Sequence, residues 1–272
     1  MKNCLLATSL ALASTLAAAP VFGAAVVYSN SGANAAAITA TRDSFRADVG
    51  GGIVAGANGS FGGLRREINW DGVPDGLSAP NNLPANFFNV NSPRGVVFST
   101  PGTGFQVSAN AGVTPIEFGN LNPTYSGIFQ TFSAQRLFAA LGSNIVDVNF
   151  FVAGTSTAGT TTAFASIFTD VDLVDATTIE YFSGLSSLGR FSAPVANNGL
   201  SFLGVRFDAG ERVTRVRIIS GNAALGPNDG GGIDVVAMDD FIFRESVALP
   251  TPSTLPLLAA ALMALGLVRK RA

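Results

Sequence analysis

From residue 25 to residue 248 the chain keeps one rhythm: apolar residues alternate with polar ones in short runs, and Gly, Pro, Asn, Asp or Ser ends each run. Alternation of period two sends successive side chains to opposite faces of a strand, and frequent turn residues reverse the chain. The pattern therefore predicts an all-β body, an antiparallel sandwich or barrel, with little room for helix. Strands are expected over 64–70, 95–100, 104–110, 114–118, 129–132, 145–153, 161–168, 177–182, 188–191, 200–207, 212–220 and 235–243, roughly ten to twelve in two sheets. No internal repeat argues for a solenoid or propeller.

One short helix is expected over 41–49. Phe45 and Val49 stand four apart, Arg42 and Arg46 share another face, and Gly50 supplies the stop. In the 64–70 strand, Arg66, Ile68 and Trp70 fall on one face and Arg65, Glu67 and Asn69 on the other, with Arg65 and Arg66 read as wet strand residues. Residues 71–94 are too rich in Pro, Gly and Asn for regular structure and form a long excursion of the kind that tends to carry function. In the 212–220 strand, Arg215 and Arg217 alternate with Val216 and Ile218, which suits one wet and one dry face.

Composition excludes more chemistry than it suggests. The chain has no His, and its one Cys, Cys4, lies in the first few residues. A Ser-His-Asp triad, an imidazole zinc site, a thiol nucleophile and a structural disulfide are all ruled out for the body. Of the 16 Lys and Arg, four (Lys2, Arg269, Lys270 and Arg271) lie in the two ends, leaving 12 arginines against 18 carboxylates. No stripe of cations is present to displace counterions from a nucleic acid.

What remains is carboxylates and aromatic rings. Asp170 and Asp172 share a strand face and are the candidate pair for a glycan-cleaving enzyme, which needs two carboxyl groups roughly 5 to 10 Å apart. Structural calcium is the stronger expectation, since calcium takes oxygen ligands from carboxylates and carbonyls. Two separate clusters are candidates: Asp170, Asp172 and Asp175, where a strand runs into a turn, and Asn228, Asp229, Asp234, Asp239 and Asp240, around the Gly-rich turn before the last strand. In Met238-Asp239-Asp240-Phe241, adjacent residues face opposite ways, so at most one aspartate points into a given site. The competing reading of each cluster is a solvated turn whose Asp and Asn side chains bond their own backbone. Trp70, Tyr125 and Tyr181 are candidate sugar platforms, although the 21 Phe belong mostly to a core and core packing competes for Trp70 as well. Trp70 with Asp71 is the preferred glycan contact if a binding surface exists.

From Phe164 to Phe243 the order of aromatic strands, ending in Asp170-Val171-Asp172, then Phe202-Leu203-Gly204-Val205-Arg206-Phe207 and a closing Met238-Asp239-Asp240-Phe241-Ile242-Phe243, resembles the later strands of jelly-roll lectin-like and carbohydrate-binding modules. The likeness is one of rhythm and brings no binding motif with it. It implies a jelly-roll-like antiparallel β-sandwich, and fold alone does not establish function.

The two ends read as addresses. Lys2, an apolar run over 5–16 and a small-residue exit over 17–25 predict a secretory signal peptide over residues 1–24, cleaved after Gly23 or Ala25. The body then spans 25–247. In 248–272, Pro250, Thr251 and Pro252 keep the chain extended, residues 254–268 are apolar but shorter than the roughly 20 needed to span a bilayer comfortably, and Arg269, Lys270 and Arg271 supply a cytoplasmic stop. This three-part pattern, with Pro252-Ser253-Thr254-Leu255-Pro256-Leu257-Leu258, resembles the PEP-CTERM sorting signal of Gram-negative bacteria in its VPLPA variant, with Thr251 where the commonest form has Glu. The resemblance implies transient anchoring of a 254–268 helix in the inner membrane, cleavage by an exosortase-type enzyme after signal peptidase has acted, and delivery to the cell surface or extracellular matrix. The expected function is a non-enzymatic structural, adhesive or glycan-binding protein of extracellular polysaccharide. The alternatives are a carboxylate-dependent glycan-cleaving enzyme and a matrix protein with no specific ligand.

Overall fold

A computed structural model describes residues 25–134 and 136–249. The expected signal peptide over 1–24, the helix expected over 254–268, and Pro250, Thr251, Pro252, Arg269, Lys270 and Arg271 of the expected sorting signal lie outside the described residues. Among the described residues no helix is long and apolar enough to cross a membrane.

The described chain is mostly strand, and every named strand pairing is antiparallel. An eight-stranded sheet contains β1 (Val26–Gly32), β2 (Ser60–Phe61), β3 (Arg65–Ile68), β5 (Gly104–Val107), β6 (Phe138–Leu141), β9 (Ala163–Val171), β12 (Ala196–Arg206) and β14 (Ala237–Arg244). Its main path runs β1-β12-β9-β14-β3-β2, with β6 on β14 and β5 on β6. A five-stranded sheet runs β11 (Ser186–Ser192), β10 (Thr178–Ser183), β13 (Arg215–Ile219), β7 (Ile145–Phe150) and β4 (Val96–Ser99). The small pair β8 (Gly159–Thr160) and β15 (Val247–Ala248) completes the set. Helix is limited to α1 (Ala35–Val49), the four-residue α2 (Phe87–Val90) and short 3-10 turns.

The two larger sheets share one apolar cluster. Ile68, Phe164, Phe168, Phe241 and Phe243 come from the first, and Val96, Phe98, Val146, Val148, Phe150, Ile179, Tyr181, Val216 and Ile218 from the second. Phe150 meets Phe164 and Phe243 at centroid distances of 6.2 and 5.7 Å, and the Tyr181 hydroxyl crosses to donate to the Phe164 carbonyl at 2.8 Å. A second core lies on the outer face of the eight-stranded sheet. There Ile38, Phe45 and Val49 of α1 pack on Ala163, Ala165, Ile167, Leu200, Phe202 and Ile242. This is why β9 is buried along its whole length: one face belongs to the inter-sheet core and the other to the helix. Small side chains at Ala163 and Ala165, and the missing side chain at Gly204, let the helix come close.

Several expectations change on this frame. The helix begins at Ala35 rather than residue 41, because Asn34, extended at φ −162°, accepts from the Ala37 amide at 3.3 Å and starts it one and a half turns earlier. Residues 114–118 hold a 3-10 turn (Ile116–Phe118) and 129–132 hold no strand. Their apolar residues instead anchor loops, with Phe118, Tyr125 and Phe129 forming a satellite cluster with Leu137, Ala139, Val235 and Ala237. Sequence rhythm misses β1, whose Ser29-Asn30-Ser31 stretch suits its place at the sheet edge, and β6, built on two alanines. Residues 71–94 are irregular as expected, apart from α2 and a 3-10 turn at Asp75–Leu77, yet they bury Val73, Leu83, Phe87 and Phe88 in the main core. Arg215 and Arg217 do share one face of β13, where both hold Asp147 at 2.7 and 2.8 Å.

Candidate functional site

A cleft of about 720 Å³ lies where α1 crosses the outer face of the eight-stranded sheet. The helix contributes Thr39, Arg42 and Arg46, the stretch between it and β3 contributes Asn58 and, from β2, Phe61, and the sheet with its adjoining loops contributes Glu67, Asn69, Arg94, Phe132 and Asp240. A second recess of about 640 Å³ shares Arg46 and Phe61 with the first. Both volumes suit a small ligand or a sugar unit or two.

An ion network forms its base. Arg46 grips Glu67 with two parallel bonds, Nε to Oε1 at 2.8 Å and Nη2 to Oε2 at 2.5 Å. Arg65 donates Nε to the same Oε1 at 2.7 Å. Its other nitrogens donate to the carbonyls of Arg46, Gly50 and Gly52, so it closes the C-terminal end of α1, where carbonyls lack partners. Arg65 is therefore a buried structural group at 3 % exposure and not the wet strand residue expected; Arg66 is half-buried and holds Glu245 at 2.5 Å. Arg94 donates Nε to the Glu67 carbonyl at 2.8 Å, and it is held by no carboxylate among the described residues. Burial, aided by the nearby Arg66 charge, lowers its pKa to about 10.

Asp240 sits behind Arg46 at 4.0 Å, 4 % exposed, and its Oδ1 is buried without a hydrogen-bond partner. Burial raises its pKa to about 6. A register shift in β14 between Met238 and Phe241 turns both of these apolar residues into the main core. Asp239 and Asp240 are left between them in different surroundings, the former accepting from the Phe132 and Ser133 amides at 2.6 and 3.3 Å. The bulge rather than simple alternation sets their directions, and the two carboxyls remain within hydrogen-bonding reach of each other.

The other aspartates regroup. Asp170 and Asp172 at the end of β9 meet Asp229 and Asp234 from the turn before β14, so members of the two sequence clusters become one group. Asp175 leaves it and accepts from the Ser192 hydroxyl at 2.6 Å, and Asp240 belongs to the α1 cleft. Asp170 is 1 % exposed, with its pKa pushed up to about 7 by burial and by the three neighbouring carboxylates; Asp172 is raised to about 6 for the same reasons. Among the described residues, no group of three or more His, Cys, Asp or Glu side chains is placed so that it could hold a metal ion.

The aromatic platform is not where the sequence placed it. Trp70 is 1 % exposed and stacks on Phe138 at 4.1 Å with a 4° interplanar angle, while Phe88 and Phe241 approach it edge-on. Its indole nitrogen donates to the Asp239 carbonyl at 3.1 Å. Tyr125 and Tyr181 are also fully buried, so none of the three rings offers a face to a sugar. Asp71 lies at the surface near the cleft, bonded to Asn69 at 2.9 Å and to the Ser133 hydroxyl at 3.3 Å. The residues that sequence reasoning missed are Asn69, Arg94, Phe61 and Phe132; the one legible signal was the Arg42/Arg46 face of the helix. Comparison with known proteins finds no matching family model, no matching curated protein and no matching solved structure.

Proposed function

We propose that this is a secreted surface or extracellular-matrix protein whose body is a jelly-roll β-sandwich that binds glycan in the α1 cleft. The strand orders β12-β9-β14-β3 and β11-β10-β13-β7 support the jelly roll. From β9 onward the chain passes from one sheet to the other, doubles back once at the β10–β11 hairpin, and continues to alternate, as two interlocked Greek keys do. The cleft carries the binding reading. It combines planar donors (Arg42, Arg94, Asn58, Asn69), acceptors (Glu67, Asp240) and the rings of Phe61 and Phe132 in about 720 Å³, and hydroxyl-rich ligands need that mixture. Arg42 lies 4.7 Å from the Phe132 ring centroid, so the donor is held in place by its stem and by the ring.

Delivery rests on the two ends of the sequence: a signal peptide for export, then a PEP-CTERM-like tail for processing by an exosortase-type enzyme and release to the surface or polysaccharide matrix. Replacing Arg269, Lys270 and Arg271 with Ala should abolish the processed form in a host with such an enzyme; unchanged processing removes the sorting assignment. For the body, a glycan panel should show retention of an extracellular polysaccharide fragment. The double variant Arg42→Ala/Asn69→Ala should weaken it at least tenfold without changing the melting temperature. No retention of any glycan at millimolar concentration ends the binding reading and leaves a matrix protein without a specific ligand.

One observation favours the enzyme alternative, namely the unpartnered Asp240 Oδ1 beside the cleft with a raised pKa. Against it, Asp239, the carboxylate that reaches Asp240, is buried and already accepts the Phe132 and Ser133 amides, and Glu67 is neutralised by Arg46 and Arg65, so neither neighbouring carboxylate is free to act. Asp170 and Asp172 do not line the cleft. Hydrolysis lost in Asp240→Asn would establish this alternative, and absence of hydrolysis in the wild type would remove it.

A further inference from the structure

Five charged side chains line the α1 cleft, and among the described residues four of them are ion-paired. Arg42 holds Asp43 at 2.7 Å, Arg46 holds Glu67 at 2.5 Å, and Asp240 lies 4.0 Å from Arg46. Arg94 is the fifth, and no described carboxylate pairs with it. Glu67 cannot serve it, because both of its oxygens already accept from Arg46 and one of them from Arg65 as well. The neighbouring Arg66 repels it and spends its own charge on Glu245 at 2.5 Å. The lining therefore carries three guanidinium groups against two carboxylates, a formal excess of one positive charge.

Arg94 is also fixed in place. Its Nε donates to the Glu67 carbonyl at 2.8 Å, its Nη1 donates to the Ser92 hydroxyl at 2.5 Å, and the Phe88 ring centroid lies 4.9 Å from the guanidinium carbon. Gly59 approaches so closely that a Cβ there would stand 2.6 Å from Nε. A guanidinium has five N–H groups, and Nη2 of Arg94 donates to nothing among the described residues. Burial, with the Arg66 charge, lowers the Arg94 pKa to about 10, so holding the charge here is unfavourable and an anion would offset that. A planar cation held by its neighbours, with donors left over, suits the bidentate capture of a carboxylate.

We propose that Arg94 binds the carboxylate of a uronic acid unit, so that the glycan taken by the cleft is an acidic polysaccharide. This rests on the cleft reading above and narrows it. Asn58 and Asn69, both exposed on the same lining, are placed to meet ring hydroxyls beside the acid group. An excess of one positive charge matches a carboxylate monoanion better than a phosphate ester, which carries between one and two charges at neutral pH.

The test is the affinity of the full-length protein for oligogalacturonate, oligoglucuronate and oligomannuronate, each offered as the free acid and as its methyl ester. At least one acid should bind ten or more times tighter than its own ester, and the difference should shrink as salt rises. Arg94→Gln should bring that acid-to-ester ratio down to about one, and Arg94→Lys, which keeps the charge and loses the planar fork, should give a ratio in between. Arg190→Gln lies on the exposed edge strand β11 of the other sheet and should keep the wild-type ratio; an equal loss there would mean general charge attraction and overturn the site. If Arg94→Gln melts below the assay temperature, the wild-type ratio and Arg94→Lys decide the matter. Acid and ester bound equally in every pair overturns the carboxylate site and leaves the cleft reading standing. Dextran sulfate bound more tightly than any of the uronates replaces the carboxylate with a sulfate ester and also overturns it. No glycan bound in either form removes both readings.

Discussion

Arg65 is 3 % exposed and gives four of its hydrogen bonds to Glu67 and to carbonyls at the end of α1, so its charge depends on one carboxylate shared with Arg46. Glu67→Ala leaves that buried guanidinium without its counter-charge and should cost about 3–5 kcal/mol in urea unfolding, the usual result of removing one partner of a buried pair. A loss below about 1 kcal/mol would mean that the carbonyls alone satisfy Arg65. Trp70 makes a different point at the same scale. Its ring is enclosed by Phe88, Phe138 and Phe241, so Trp70→Ala should destabilise by about 3–5 kcal/mol, and glycan retention should fall only in proportion to unfolding. The residues of 64–70 were legible as a strand, but which arginine was wet was not. Arg65 is dry because a helix that ends sixteen residues earlier in the chain folds back over it.

Among the elements, α1 does most to shape the cleft, and its seat on the sheet is tight. A Cβ added at Gly204 of β12 would stand 2.8 Å from the Ala165 Cβ and 3.0 Å from the Phe45 ring, so helix and sheet would have to part. Gly204→Ala is expected to cost about 1–3 kcal/mol and to weaken any ligand held between α1 and the sheet, measured by unfolding and by retention on the same glycan. Unaltered stability would show that the helix can shift at little cost. The helix was visible in the spacing of Phe45, Val49 and Gly50, whereas its first turn was not, since Ala35-Ala36-Ala37 has no amphipathic signal and its start depends on the single cap at Asn34. The strands expected at 114–118 and 129–132 failed for a related reason. Short apolar runs bury equally well as loop anchors, and only the cluster around Tyr125 decides between the two.

For the whole molecule, the carboxylates set the response to pH. Asp170 is raised to about 7 and Asp172 and Asp240 to about 6, chiefly by burial, against about 3.9 for an unfolded aspartate. The folded state then binds protons more tightly than the unfolded one, so stability is greatest at low pH within this window and falls as pH rises through 6 and 7. Asp147 and Glu180, lowered by hydrogen bonds from arginine, act in the opposite sense, but only as pH drops below about 4.5. The melting temperature should therefore decline from pH 5 to pH 8; a midpoint that rises over the same range would contradict the burial of these groups. By itself the sequence determined the all-β class, the antiparallel pairing, most strands from residue 145 onward, and the restriction of chemistry to carboxylates and arginines, because period, turn residues and composition are properties of near neighbours. Only the tertiary structure decided that Asp170 and Asp172 meet Asp229 and Asp234 while Asp175 does not, that Trp70 is enclosed, and that Arg42, Glu67, Arg94 and Phe132 line one cleft. Those are distances between residues far apart in the chain, and they are fixed by how two sheets and one helix share buried surface.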